Sequence, residues 1–270
     1  MCSISFIGAG NVAMRFSLAL AEAGYKIGTI YGRSEKNVSK VVKTLERNGF
    51  NAKPSFSISD VFSSSVVIIA VSDNAIPQVV SELVKTVEAL DMEYSPIFLH
   101  TSGATDINVF NPLKELGVRC GVLYPLMTLN SNKNIEFKDV PLLLESMDGE
   151  IDDVLDEIAT NLNSEHYFYS SKDRLKMHVA AVFTCNFVNH MLSMGFSVIG
   201  RDTPLLLPLT LESVRNCFLH SPDAVLTGPA RRGDMVTIEK HLGLLEELGM
   251  GEQKEIYSMF TDMIMKKFNK

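Results

Sequence analysis

Three stretches hold residue types and spacings that could do chemistry. The first is Gly8-Ala9-Gly10-Asn11-Val12-Ala13, which follows a short run of strand formers, Ile4 to Ile7. Glycine at position 8 allows a tight turn. Glycine at position 10 leaves room for a pyrophosphate to approach the backbone, and Ala13 fits close helix–strand packing. A helix opening at Asn11 and Val12 would aim free N–H groups and a partial positive charge at phosphate. The second stretch is Tyr31-Gly32-Arg33-Ser34, at the end of the next apolar run, Ile27 to Tyr31. A site for NAD usually has an acid there, bonded to the ribose 2′-hydroxyl. Here the first acid is Glu35, past the turn, whereas Arg33, Ser34 and nearby Lys36 suit a 2′-phosphate. NADP is therefore expected over NAD, which remains the alternative.

The third stretch is HVAAVFTCNFVNHML, His178 to Leu192. It is apolar nearly all round, so it is expected to be buried, in its own domain or against a partner subunit. On a regular helix His178, Cys185 and Asn189 project within about 20° of one direction, and Asn186 about 80° away. Such a seam either bonds neighbouring helices or faces a substrate. A histidine can give or take a proton near neutral pH, so His178 is the candidate acid–base group. Asn186 is the candidate to hold a carbonyl, imine or carboxylate.

These residues need elements to position them. Strand, glycine turn, helix and strand up to Tyr31 form a βαβ unit. Val66 to Val71 is a continuous apolar run, as expected of a strand buried on both faces of a parallel sheet. Ser72-Asp73-Asn74 is expected to cap a helix from Ile76 to Leu90. Further strands are expected at Ile97–Leu99, Val118–Tyr124, Pro141–Leu144 and His166–Tyr169. Tyr124 then ends a strand on the ligand side of the sheet. From Lys172 onward the pattern is helical only. The expected fold is α/β: a doubly wound, mainly parallel Rossmann sheet over residues 1–170 and an all-helical domain over 171–270. In TGPARRGD, Thr227 to Asp234, the glycines and proline shape a turn and Asp234 caps the next helix. Arg232 there is the candidate for an anionic substrate, because a guanidinium fork suits a carboxylate.

Composition excludes other classes. The chain has 270 residues, 46% hydrophobic and 21% charged, with a net charge of −7. No basic run suggests nucleic acid as a partner. Cys2, Cys120, Cys185 and Cys217 are too scattered for a zinc cluster or a disulfide framework, so no metal is expected and a cytoplasmic location is. The N-terminal apolar segment is broken by Arg15 and Glu22, so neither leader nor membrane association is expected.

GAGNVA, AVSDNAI, HTSGA, YPLMTL, HVAAVFTCNFVNHML and TGPARRGD with His241 together resemble one family. It is the bacterial Rossmann-like oxidoreductases with an all-helical C-terminal domain of unknown function. In layout they are similar to pyrroline-5-carboxylate reductases and to NADP oxidoreductases of the deazaflavin-dependent type. The resemblance implies an NAD(P) site and a homodimer formed through the helical domains. It assigns Gly8, Gly10, Asn11 and Val12 to the phosphate turn, Arg33 and Ser34 to the 2′-phosphate, and Ser72 and Asn74 to the loop beneath ribose and nicotinamide. It also matches His178 and Asn186 to the long-helix polar pair, and Arg232 and Asp234 to the end of TGPARRGD. The Lys–Asn pair of β-hydroxyacid dehydrogenases is missing, since Ala180 stands one turn after Lys176. The proline-binding loop of pyrroline carboxylate reductases is not evident either, so neither substrate carries over. The expected activity is hydride transfer between a nicotinamide and a small carbonyl or imine compound, anionic ones included. The alternative is a non-catalytic NADP-binding redox sensor.

Overall fold

The computed structural model describes residues 2–90, 95–129 and 136–268. Its strands are β1 (Ser3–Ile7), β2 (Lys26–Tyr31), β3 (Lys53–Ser55), β4 (Val66–Ile69), β5 (Ile97–His100), β6 (Cys120–Pro125), β7 (Leu142–Ser146) and β8 (His166–Phe168). They form one sheet in the order β3-β2-β1-β4-β5-β6-β7-β8. Every neighbouring pair is parallel except β6 and β7. The helices α1 (Asn11–Glu22), α2 (Glu35–Arg47), α3 (Ile76–Leu90), α4 (Asn111–Lys114) and α5 (Asp152–Asn161) connect the strands.

The chain folds this way because its central strands are apolar on both sides. All four residues of β4 and of β5 are buried. Two clusters cover the two faces: one built with α1, α2 and α5 around Phe16, Val41 and Leu155, the other with α3 and α4 around Leu83, Phe98 and Leu113. Strand order reverses between β1 and β4. In open parallel sheets the crevice outside the carboxyl ends of such strands is where ligands bind. The mainly parallel sheet followed by helices is the expected fold class.

The remaining helices are α6 (Ser171–Ala181), α7 (Val188–Ile199), α8 (Leu207–His220), α9 (Pro222–Val225), α10 (Pro229–Arg232), α11 (Met235–Glu247) and α12 (Gly251–Phe268). The chain divides into two compact units, Met1–Thr184 and Cys185–Lys270. The division falls in a π-helical turn, Val182–Phe187, that interrupts the helical run from α6 to α7.

That turn corrects the expected polar seam. A π-helical stretch bonds i to i+5, not i to i+4. A wheel of 100° per residue therefore does not carry from His178 to Cys185, Asn186 and Asn189. The expectation of burial is also corrected within the chain: Val179, Phe183, Phe187 and Val188 are all exposed. So are Leu205, Leu209 and Phe218, at 76%, 70% and 82%. The apolar pattern folds these helices but finds no cover in a single chain.

Candidate functional site

A cleft of about 430 Å³ lies at the switch between β1 and β4. Its lining comes from three strand ends adjacent in the sheet: Gly8 and Gly10 after β1, Gly32, Arg33 and Ser34 after β2, and Ala70, Val71 and Ser72 after β4. Gly8 has φ +110°, and a Cβ there would lie 2.3 Å from the Ala70 carbonyl oxygen. Its N–H donates to Tyr31 O at 2.8 Å, so the turn is fixed from β2 as well. Position 8 is thus glycine for reasons internal to the fold.

Gly10 is different. A Cβ at position 10 would meet no protein atom within 4 Å. It stands exposed as the N-cap of α1, with no side-chain cap below the first N–H groups. Ala13, one turn later, is fully buried against the sheet. This is a bare helix N-terminus facing open space, and it fits a pyrophosphate. The described residues therefore fit a dinucleotide.

Arg33 and Ser34 sit where the sequence placed them, at the rim after β2. Ser34 also caps α2 by accepting from Asn37 N, at 3.4 Å. Asn37 and Glu82 line the same cleft and were not singled out from sequence. Glu82 comes from α3, over forty positions away from β2, so no local pattern points to it. Its charge and burial both raise the pKa of the Tyr31 phenol, burial more, while Arg33 lowers it. Asn11, Val12 and Asn74 lie outside this lining. Ser72-Asp73-Asn74, expected to cap α3, instead runs into a 3-10 turn, Asp73–Ala75, before it, and Ser72 makes no side-chain cap there.

A second constellation lies at the ends of β5 and β6. The Tyr124 hydroxyl is 3.1 Å from His178 Nδ1. The two rings meet edge to face with centroids 5.9 Å apart. Beneath them is Gly103, where a Cβ would come within 2.7 Å of both His178 Nδ1 and Tyr124 Cζ. Glycine is required here by close approach of the two side chains. The loop that carries it is tied by Ser102 Oγ, which accepts from Ala104 N and Thr105 N at 3.1 and 2.9 Å. Burial raises the pKa of Tyr124, the charge of Asp73 adds to this, and Arg174 opposes it. Asp73 adjoins Ser72 of the cleft, so the pair and the cleft share one end of the sheet. Sequence named Tyr124 and His178 separately, and the fold joins them.

Asn186 and Arg232 belong to the helical unit. Asn186 is exposed within the π-helical turn, and Arg232 is exposed at the end of α10. Gly233 follows in the left-handed conformation, φ 68°, and ends α10. Asp234 caps α11 as expected, accepting from Thr237 N at 3.1 Å and from its hydroxyl at 2.7 Å. Among the described residues no group of three or more His, Cys, Asp or Glu side chains could hold a metal.

His100, at the end of β5, is fully buried. Its Nδ1 accepts from Ser102 N at 3.2 Å, and Nε2 has no partner. Burial, assisted by Arg174, lowers its pKa from 6.5 to about 3. The unfolded chain takes up this proton below about pH 6.5 and the folded chain only near pH 3. The stability His100 lends is therefore complete above pH 6.5 and is lost as pH falls toward 3. Urea midpoints measured from pH 7 to 4 should fall more steeply for the parent protein than for His100→Asn.

Comparison with known proteins agrees with this geometry. Residues 1–125 match the Rossmann-like domain, and residues 140–264 match a domain of unknown function, DUF2520. The chain is a Rossmann-like domain joined to a DUF2520 domain. Among solved structures it is similar to a protein of Bacteroides fragilis provisionally described as an NADP oxidoreductase. The identity is 28%, with 98% of each chain covered and a TM-score of 0.84. It shares its fold with a pyrroline-5-carboxylate reductase from Coxiella burnetii, at 16% identity over 97% of each chain and a TM-score of 0.56. A prephenate dehydrogenase from A. aeolicus, solved with hydroxyphenyl propionate and NAD+, is 16% identical. There 99% of this chain and 97% of that one are covered, with a TM-score of 0.55. None of the curated proteins matches the sequence significantly. The DUF2520 match begins at residue 140, so it takes in β7 and β8 as well as the helices.

Proposed function

We propose that this protein is an NADP-dependent oxidoreductase that transfers hydride between the nicotinamide and a small carbonyl or imine substrate. The observation that carries the reading is the Tyr124–His178 pair, at the same sheet end as a cleft shaped for a dinucleotide. The description of the Bacteroides fragilis structure supports it.

The cofactor, when bound, supplies or accepts the hydride. The residues of this chain do the rest. Gly10 and the α1 N-terminus hold the pyrophosphate, and Arg33 and Ser34 the 2′-phosphate. The Tyr124 hydroxyl donates to His178 Nδ1, which leaves the ring proton of the neutral imidazole on Nε2. In reduction, Nε2 gives its proton to the substrate heteroatom while Nδ1 receives the tyrosine proton. The imidazole stays neutral, and the negative charge passes to the phenol oxygen. Oxidation runs the same transfers backward. Asn186 and Arg232 are proposed to hold polar groups of the substrate. The rival reading, a non-catalytic NADP sensor, needs the cleft but not the pair.

A thermal-shift titration with NADPH, NADP+, NADH and NAD+ tests the cofactor assignment. Ligand at 100 times its Kd adds about 2.7 kcal/mol. Shifts with the phosphorylated pair alone support NADP, equal shifts with all four remove the preference, and no shift removes the reading. Arg33→Ala should weaken NADPH by about 10-fold or more, since a hydrogen bond to a charged group is worth about 1.5–3 kcal/mol. NADH binding should be unchanged.

The exposed apolar surface of α7 and α8 is proposed to be covered by a second copy of the chain. Patches of this extent mark interaction surfaces. The helical run Ser171–His220 also holds an 18-residue window apolar enough to cross a membrane by length and composition, with a mean hydropathy of 1.3 and 6% of it buried. Light scattering on the purified protein separates the two. A dimer without detergent supports the homodimer and a cytoplasmic location. A monomer that floats with liposomes overturns both.

A further inference from the structure

Arg174 is the only lysine or arginine buried among the described residues, at 1% exposure. It stands in the first turn of α6. One terminal nitrogen, Nη1, donates to Glu145 Oε2 on β7. The other, Nη2, donates to the Thr105 carbonyl after β5 and to Ser171 Oγ. Glu145 also accepts from Ser171 N at 2.7 Å and from Ser171 Oγ at 2.8 Å. Ser171 Oγ in turn accepts from Ile107 N at 2.9 Å. In the sheet β6, which carries Tyr124, lies between β5 and β7. The fork therefore clamps the start of α6 to β7 and to the loop after β5, the two neighbours of the strand that carries Tyr124.

A buried ion pair is a poor way to gain stability, because apolar residues of similar volume usually do as well or better. This one also leaves Arg174 Nε without a partner. What it supplies is a fixed geometry. His178 follows Arg174 by four residues and so lies on the same face, one turn further along α6. There its Nδ1 must sit within 3.1 Å of the Tyr124 hydroxyl and directly over Gly103. Catalytic geometry of this kind has to be held to about 0.5 Å.

We propose that the Arg174–Glu145 pair is a positioning device, which holds His178 against Tyr124 and Gly103 by anchoring the first turn of α6. Neither residue touches the substrate. The inference rests on the acid–base role given to His178 above.

The test uses full-length protein with 15N-labelled histidine. Long-range proton–nitrogen spectra report which ring nitrogen of His178 carries the proton, and His178→Gln assigns the signal. Wild type should show a single Nε2–H tautomer, and Tyr124→Phe a mixture. Arg174→Met/Glu145→Met, which removes both charges together, should give the same mixture as Tyr124→Phe while NADPH still produces its thermal shift. A double variant that keeps the single tautomer, or that fails to fold, overturns the proposal. Arg174→Lys keeps the charge but cannot reach Glu145 and Thr105 at once. A mixture in that variant supports the proposal in a milder background, and a single tautomer overturns it. If the tautomer depends on the pair but wild type does not respond to NADPH, the device stands and the oxidoreductase reading falls. If NADPH binds and His178 is already mixed in wild type, the device falls alone.

Discussion

Alanine in place of His178 is expected to lower turnover by about 10²–10⁴-fold while NADPH binds as before. That range is the usual worth of a positioned general acid or base. Tyr124→Phe should show a smaller version of the same loss, because the imidazole remains but its Nδ1 partner and proton source are gone. Cofactor binding should survive both changes, since neither residue lines the cleft between β1 and β4. Once a screen that follows NADPH absorbance has found a turned-over compound, steady-state rates and thermal shifts on the same variants decide the matter. An unchanged rate in His178→Ala would take the histidine out of the mechanism and favour the sensor reading. Gly103→Ala gives an independent check. The new methyl group would stand 2.7 Å from the ring atoms of both partners, so it should cost turnover without removing either side chain.

The single change Arg174→Met should destabilise the fold by about 3–5 kcal/mol, the usual cost of leaving one partner of a buried pair uncompensated. Glu145 keeps only its bonds from Ser171, and its side chain is 14% exposed, so water reaches it poorly. Changing Glu145 to Met in the same chain should recover most of the loss, because no buried charge then remains. Urea unfolding of the two single variants and the double variant measures the coupling. Additive losses would show that the two residues act separately. The contrast with the surface pair Lys53–Asp60 is informative. That pair is also in direct contact, at 3.0 Å, but its lysine is 64% exposed. Its removal should change stability far less than breaking the buried pair, because solvent screens both charges.

The order of elements and the local half of the candidate site were legible in the sequence. Gly8, Gly10 and Ala13 lie within one turn and its helix, and the turn is dictated by hard sterics: a positive φ, a carbonyl oxygen 2.3 Å from where a Cβ at position 8 would stand, and a buried methyl at Ala13. Arg33 and Ser34 follow directly on a strand whose apolar run is legible by itself. The Asp234 cap reads from three consecutive residues. The rest depends on distant residues meeting. Tyr124 and His178 are 54 positions apart, and Glu145 and Arg174 are 29 apart. In sequence Arg174 reads as one more charge on a helix surface, because periodicity gives a face and not what covers it. Glu82 reaches the cleft only because α3 folds back beside the strand ends that line it. The π-helical turn at Val182–Phe187 has no composition to announce it, and it broke a wheel that assumed 100° per residue. Periodicity records that an apolar surface must be covered, while the identity of the cover is set by contacts made after the chain has folded.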